Sequence, residues 1–114
     1  MKKNLYGKCP YVTAQKVLYG KWTIVILHLL NNDEPIRFNE LQRMMPEEMT
    51  HTTLSRQLKY LEKEKMIIRK DYGEIPPRVE YSLSEIGKSF KTVLDEIEKW
   101  GTDYINFMNV NNAE

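Results

Sequence analysis

Three side chains in this 114-residue sequence have the types for covalent chemistry: Cys9, the only cysteine, and the two histidines, His28 and His51. A thiol beside an imidazole is the start of a cysteine hydrolase, but that chemistry also needs a third group to orient the base. His28 lies inside an apolar run and His51 opens a different element, so nothing in the pattern brings either to Cys9. There is no phosphate loop, no His-Glu-x-x-His pair and no dinucleotide fingerprint. A single cysteine excludes an intramolecular disulfide and a cysteine zinc cluster. The sequence therefore predicts neither an enzyme nor a cofactor or metal.

A different set of polar residues has a readable spacing. Leu54, Leu58 and Leu61 recur at i, i+4, i+7, which is one face of a helix. Thr52, Ser55, Arg56, Lys59 and Lys63 fall on the other side. The N-terminal residues of a helix lying in the major groove reach base edges, which makes His51, Thr52, Ser55 and Arg56 base-contact candidates. The planar fork of Arg56 matches the two acceptors of guanine, while Lys59 and Lys63, further along, suit phosphate. The competing reading is an ordinary solvated helix face. Arg78, after Pro76-Pro77, reads as the arginine of a stiff loop tip suited to a narrow minor groove; the alternative is that the prolines guard an exposed edge. Arg37 and Asn39 open the preceding helix, where free N–H groups favour a phosphate, although for Asn39 a capping role suffices.

The elements that must position these residues follow from the changes in apolar period. Pro10 suits a first helical turn, and Tyr11, Ala14, Val17 and Leu18 continue a helix towards Gly20. Trp22 to Leu30 is apolar nearly all round and reads as a central buried helix, with a strand as the alternative. Ile36-Arg37-Phe38 reads as a very short strand. Asn39 and Gln42 resemble a capping box, with Phe38 as staple, for a third helix from Glu40 to Met45. Thr50 is a good N-cap for the fourth helix, which reaches about Lys65. Beyond Met66 the period becomes two: Ile68–Tyr72 and Val79–Leu83 form a hairpin around a proline loop. Ser84 then caps a long last helix, fraying after Asn109. On it Phe90, Val93, Ile97, Trp100, Tyr104 and Phe107 form a seam of the kind that packs helix on helix. The expected fold is mainly α with a small β-hairpin: a winged helix-turn-helix with N-terminal and long C-terminal dimerisation helices. One domain is expected over residues 1–114, with the helix-turn-helix at about 39–65, the wing at about 67–83 and the dimerisation helix at about 84–109.

The net charge of +1 conceals a gradient. Residues 1–21 carry five lysines and no acid, residues 50–70 carry six Lys or Arg against two Glu, and residues 84–114 carry six acids against three lysines. Two basic segments can thus face a polyanion while the acidic one faces elsewhere. No apolar run approaches the roughly 18 residues of a membrane span, and no signal-peptide core follows the basic start, so a cytoplasmic location is expected.

The set Cys9-Pro10, Gly20-Lys21-Trp22, Arg37-Phe38-Asn39-Glu40-Leu41, Leu54 to Leu61 and Pro76 to Leu83 resembles the HxlR-type family of bacterial regulators, from about Cys9 to Trp100. The resemblance implies a dimeric winged helix related to the MarR type that binds double-stranded DNA at a palindromic operator and represses or activates transcription. Many members of that family sense electrophiles or oxidants through the cysteine of an N-terminal Cys-Pro pair, which matches Cys9. The setting agrees: helix N-termini and neighbouring cations such as Lys8 favour thiolate over thiol. A small electrophile or thiol is then the expected partner of Cys9, and a small apolar filler is its alternative role. The competing function for the whole chain is a winged-helix protein-interaction module that does not bind DNA.

Overall fold

The computed structural model describes residues 4–112; Lys2 and Lys3, counted above in the basic N-terminal segment, lie outside them. Among the described residues six helices and three strands follow in the order α1 (Pro10–Val17), α2 (Thr23–Leu30), β1 (Ile36–Arg37), α3 (Phe38–Met44), α4 (His51–Lys63), β2 (Ile67–Asp71), β3 (Val79–Leu83), α5 (Glu85–Ser89) and α6 (Lys91–Asn112). The expected mainly helical winged fold is present, and the apolar run at Trp22–Leu30 is helical rather than extended.

The core forms where the apolar faces of these elements meet. Ile26, Leu27 and Leu30 of α2, Leu41 of α3, Leu54, Leu58 and Leu61 of α4, and Tyr81 and Leu83 of β3 are all buried in one cluster. The three leucines of α4 stack on one side because helical neighbours lie three and four residues apart. Thr23, at the start of α2, is a buried polar residue. Its hydroxyl donates to the Tyr19 carbonyl at 2.5 Å, which satisfies a group that would otherwise be costly to bury. The chain enters α2 through Gly20, whose φ of +116° suits glycine. A side chain there would also press on the Gln57 amide and the Thr23 hydroxyl.

Four expectations are corrected. The wing is not a hairpin alone: β1 pairs antiparallel with β3, Ile36 opposite Tyr81 and Arg37 opposite Glu80, giving a three-stranded sheet ordered β1-β3-β2. Because the chain leaves that pairing directly into a helix, Phe38 is already helical and Arg37 stands at the N-cap. Asn39 therefore caps nothing, and the Gln42 amide instead donates to the Met49 carbonyl at 2.7 Å, bridging the turn between α3 and α4. The last helix is divided. Ser84 caps as expected, but it caps α5, and at Phe90 the N–H bonds three residues back to Gly87 before α6 begins. Phe90 consequently packs on the core rather than heading the seam. Finally, α6 does not fray at Asn109 but continues to Asn112.

Candidate nucleic-acid interface

The fourth helix carries the candidate surface, and its N-terminus is fixed locally. The Thr50 hydroxyl accepts the Thr53 N–H at 3.1 Å, so α4 starts at His51 as its sequence dictates. With Leu54, Leu58 and Leu61 inward, His51, Thr52, Arg56, Lys59 and Lys63 are exposed and Ser55 is half-buried. No acid stands in the first turn of α4. The helix thus presents hydroxyls, an imidazole and cations at the end that would meet base edges.

Two grooves connect this face to its neighbours. One runs between α4 and the sheet, with Ser55 and Lys59 on one wall and Arg69 and Tyr81 on the other. The second joins the start of α3 to the root of the wing and gathers Arg37, Asn39, Arg43, His51 and Arg78. The Phe38 ring lies between them, 4.3 Å from the His51 imidazole and 6.5 Å from Tyr81, so His51 is steadied against the core. The structure thus brings together Arg37, Asn39, His51, Ser55, Lys59 and Arg78, which the sequence nominated separately. Thr52, Arg56 and Lys63 line neither groove. Arg43 and Arg69 were missed. Arg43 faces the second groove from the last turn of α3, and Arg69 reaches the first through the β2–β3 register, which no local pattern reveals.

Arg78 is not at the tip of the wing. The Tyr72 N–H donates to the Arg78 carbonyl at 3.0 Å, extending the ladder beyond the strands and putting both residues at the base of the loop. The guanidinium lies 3.5 Å from the centre of the Tyr72 ring and pairs with Glu74 at 3.2 Å, leaving the side chain 30% exposed. Its Nε is buried without an acceptor.

At the opposite end of α4, Glu64 ties the helix to the N-terminal segment. Its side chain, 8% exposed, pairs with Lys16 at 3.2 Å and accepts the Tyr6 hydroxyl at 3.1 Å. The Lys16 ammonium is held above its ordinary range chiefly by the hydrogen bond to Glu64. The Tyr60 hydroxyl donates to the Lys16 carbonyl, and burial is the main cause of the upward shift of that phenol. Cys9, half-buried, is the N-cap of α1 and makes no side-chain capping bond. Beside it, an apolar cleft of about 510 Å³ between α1 and the start of α6 is lined by Lys8, Pro10, Val17, Phe90 and Val93, though not by Cys9 itself.

The expected packing seam stands mostly in solvent. Of α6 only Leu94 is buried. Val93, Trp100, Tyr104 and Phe107 are exposed and Ile97 is half-buried. The Trp100 and Tyr104 rings stack at 5.3 Å and Tyr104 meets Phe107 at 6.2 Å, making a continuous aromatic ridge.

A helix-turn-helix with an open, cation-bearing second helix, followed by a β-ribbon wing, defines a winged-helix DNA-binding protein. The sequence matches the model of the HxlR-like helix-turn-helix family over residues 17–109, and the chain belongs to that family. An uncharacterized HTH-type transcriptional regulator of Halalkalibacterium halodurans, BH0655, is 42% identical over 92 residues, spanning 81% of this chain and 80% of the relative. A MarR-family transcriptional regulator from Porphyromonas gingivalis W83 superposes with a TM-score of 0.77 at 37% identity, covering 89% of this chain and 97% of the other. The redox regulator HypR in its reduced form gives a TM-score of 0.80 at 30% identity, covering 90% and 99%. The resemblance read from the sequence is thus borne out: the protein is a DNA-binding transcriptional regulator of the HxlR type, not an enzyme. Among the described residues no helix is long and apolar enough to cross a membrane.

Proposed function

We propose that this regulator acts in the cytoplasm as a two-fold homodimer on a palindromic operator, each subunit laying α4 in one major groove. Arg56, Thr52 and His51 meet base edges; Ser55 supports them; Lys59 and Lys63 meet phosphate. Arg37 and Asn39, with Arg43, hold the backbone beside α3, and Arg78 lends charge at the wing root. The observation that carries this reading is the convergence of α3, α4 and the wing on one face through two shared grooves. Half-sites one helical turn apart, roughly 34 Å, follow from the two-fold geometry. The ridge of Trp100, Tyr104 and Phe107, with Val93 and Ile97, supports a second copy as its cover, since an apolar stripe this long is unusual in a monomer's solvent face. Phe90 lies at the edge of that region. The test is a gel shift on duplexes from the DNA flanking the protein's own gene, with salt titration: affinity falls steeply with salt if several phosphates are neutralised.

Cys9 is the proposed sensor within this reading. Alkylation of its thiol by a small electrophile, or exchange of its thiolate with a small-molecule disulfide that releases one free small thiol, adds bulk at the start of α1. A displaced α1 shifts one subunit against the other, and fixed half-site spacing converts a small rotation into loss of one half-site. The likeness to HypR, a redox regulator, supports the assignment. Quinone or diamide should release DNA from the native protein and leave Cys9→Ser bound. Equal responses of the two would leave Cys9 as a packing residue.

A further inference from the structure

With Arg78 drawn back to the base of its loop, the summit of the wing is apolar. Ile75 is 99% exposed, and Pro76 and Pro77 after it are exposed. The acids of the loop and of its flanking strands have partners within the wing. Glu74 pairs with Arg78. Asp71 accepts the Gly73 N–H at 2.9 Å, and Glu80 accepts the Tyr72 hydroxyl at 2.7 Å. The acids of the wing are thus paired with its own groups, although the Asp71 and Glu74 side chains stay 52% and 53% exposed, and the prolines hold their own φ angles, so Ile75 stands on a stiff loop. Its root, Pro77-Arg78-Val79, lines the same groove as Arg37, Asn39 and His51, so the tip stands at the edge of the DNA-facing surface and is continuous with it.

We propose that Ile75 with Pro76 is an apolar wedge that enters the minor groove beside each half-site, partly unstacks one base step and bends the duplex. The proposal rests on the DNA-binding reading above. Minor-groove proteins that kink DNA insert such residues, isoleucine and proline among them, between base steps. The cost of unstacking is least at flexible pyrimidine–purine steps, so the wedge would add a preference at positions that no hydrogen bond reads. A tip meant to follow the groove electrostatically would instead carry a free cation at its summit, and here the nearest arginine is committed to Tyr72 and Glu74.

The test uses the native dimer-forming chain and a duplex recovered by it from a randomised library. Bending is read by energy transfer between end labels, and unstacking by the fluorescence of 2-aminopurine placed at successive flanking steps. The native protein should bend the duplex by tens of degrees and brighten the probe at one step on each side. Ile75→Gly should lose most of the bend and the brightening and weaken binding by about tenfold, while Ile75→Leu keeps all three. Ile75 touches no core residue, so both variants should fold as the native chain does. Replacing the brightened step with an A-tract should weaken the native protein and leave Ile75→Gly unchanged. A duplex that stays straight, or an Ile75→Gly variant with native bend and affinity, overturns the wedge and leaves the tip for a protein partner. A native chain that recovers no duplex from the library overturns the DNA-binding reading itself.

Discussion

Gly87→Ala and Gly101→Ala place the same added methyl in two helices and should move stability in opposite directions. Gly87 is the buried third residue of α5. A Cβ there would overlap the Met66 carbonyl oxygen and come within 3.3 Å of the Leu83 Cβ. The obstacle is backbone and has little freedom to yield. The Met66 carbonyl accepts the Ser84 N–H at 3.0 Å, and the Met66 N–H is itself bonded to Leu61 at 3.0 Å. Overpacking of this kind costs about 1–3 kcal/mol, and displacing the Ser84 bond adds about 1 kcal/mol. Alanine's better helix propensity returns about 1 kcal/mol. The expected net loss is about 2 kcal/mol, or roughly 1 M in urea midpoint for an m-value near 2 kcal/mol/M. Around Gly101, inside α6, nothing among the described residues lies within 4 Å of the added carbon apart from its chain neighbours and the helix's own backbone. Gly101→Ala should therefore gain up to about 1 kcal/mol. The assay is urea unfolding followed by circular dichroism at one fixed protein concentration, since assembly shifts apparent stability. A Gly87→Ala midpoint at or above the native value would refute the packing argument, as would both variants moving the same way.

Other outcomes test the interface and its supports. Arg56→Ala should lose about 1–3 kcal/mol on the specific operator and relax one base position. Lys59→Ala should weaken specific and non-specific binding alike and reduce the salt slope by about one; equal losses with equal base preference for both variants would contradict the division of labour. Trp100→Glu should convert the proposed dimer to monomer or aggregate in sedimentation and abolish operator binding; a native chain that sediments as a monomer at micromolar concentration would contradict the ridge assignment. Raising pH should destabilise the junction of α1 and α4. Both Lys16 and Tyr60 titrate above their ordinary values of 10.5 and 10.0 in the fold. Their contributions are therefore whole below about pH 10 and lost as pH rises through the folded values. Tyr60→Phe should flatten the alkaline limb of a pH–stability profile, and an unchanged limb would exclude Tyr60 as a contributor.

The elements that the sequence determined by itself are those set by local chemistry. The helical leucine spacing of α4 and its Thr50 cap needed only neighbours three or four residues away, and the fold delivered both. The wing strand Val79–Leu83 followed from its period of two. The family resemblance also lay in contiguous short motifs. What only tertiary structure decided depended on partners far along the chain. The pairing of Ile36 with Tyr81 joined a third strand to the wing and moved the start of α3 to Phe38, which took the cap from Asn39. Strand register, rather than any motif, brought Arg69 to the groove opposite Lys59. The position of Arg78 turned on a ring stack and an ion pair across its own loop, so a residue read as the tip became the brace beneath it, and Ile75 took the summit. Periodicity tells which side of an element is apolar; which distant surface that side meets is fixed only when the whole chain packs.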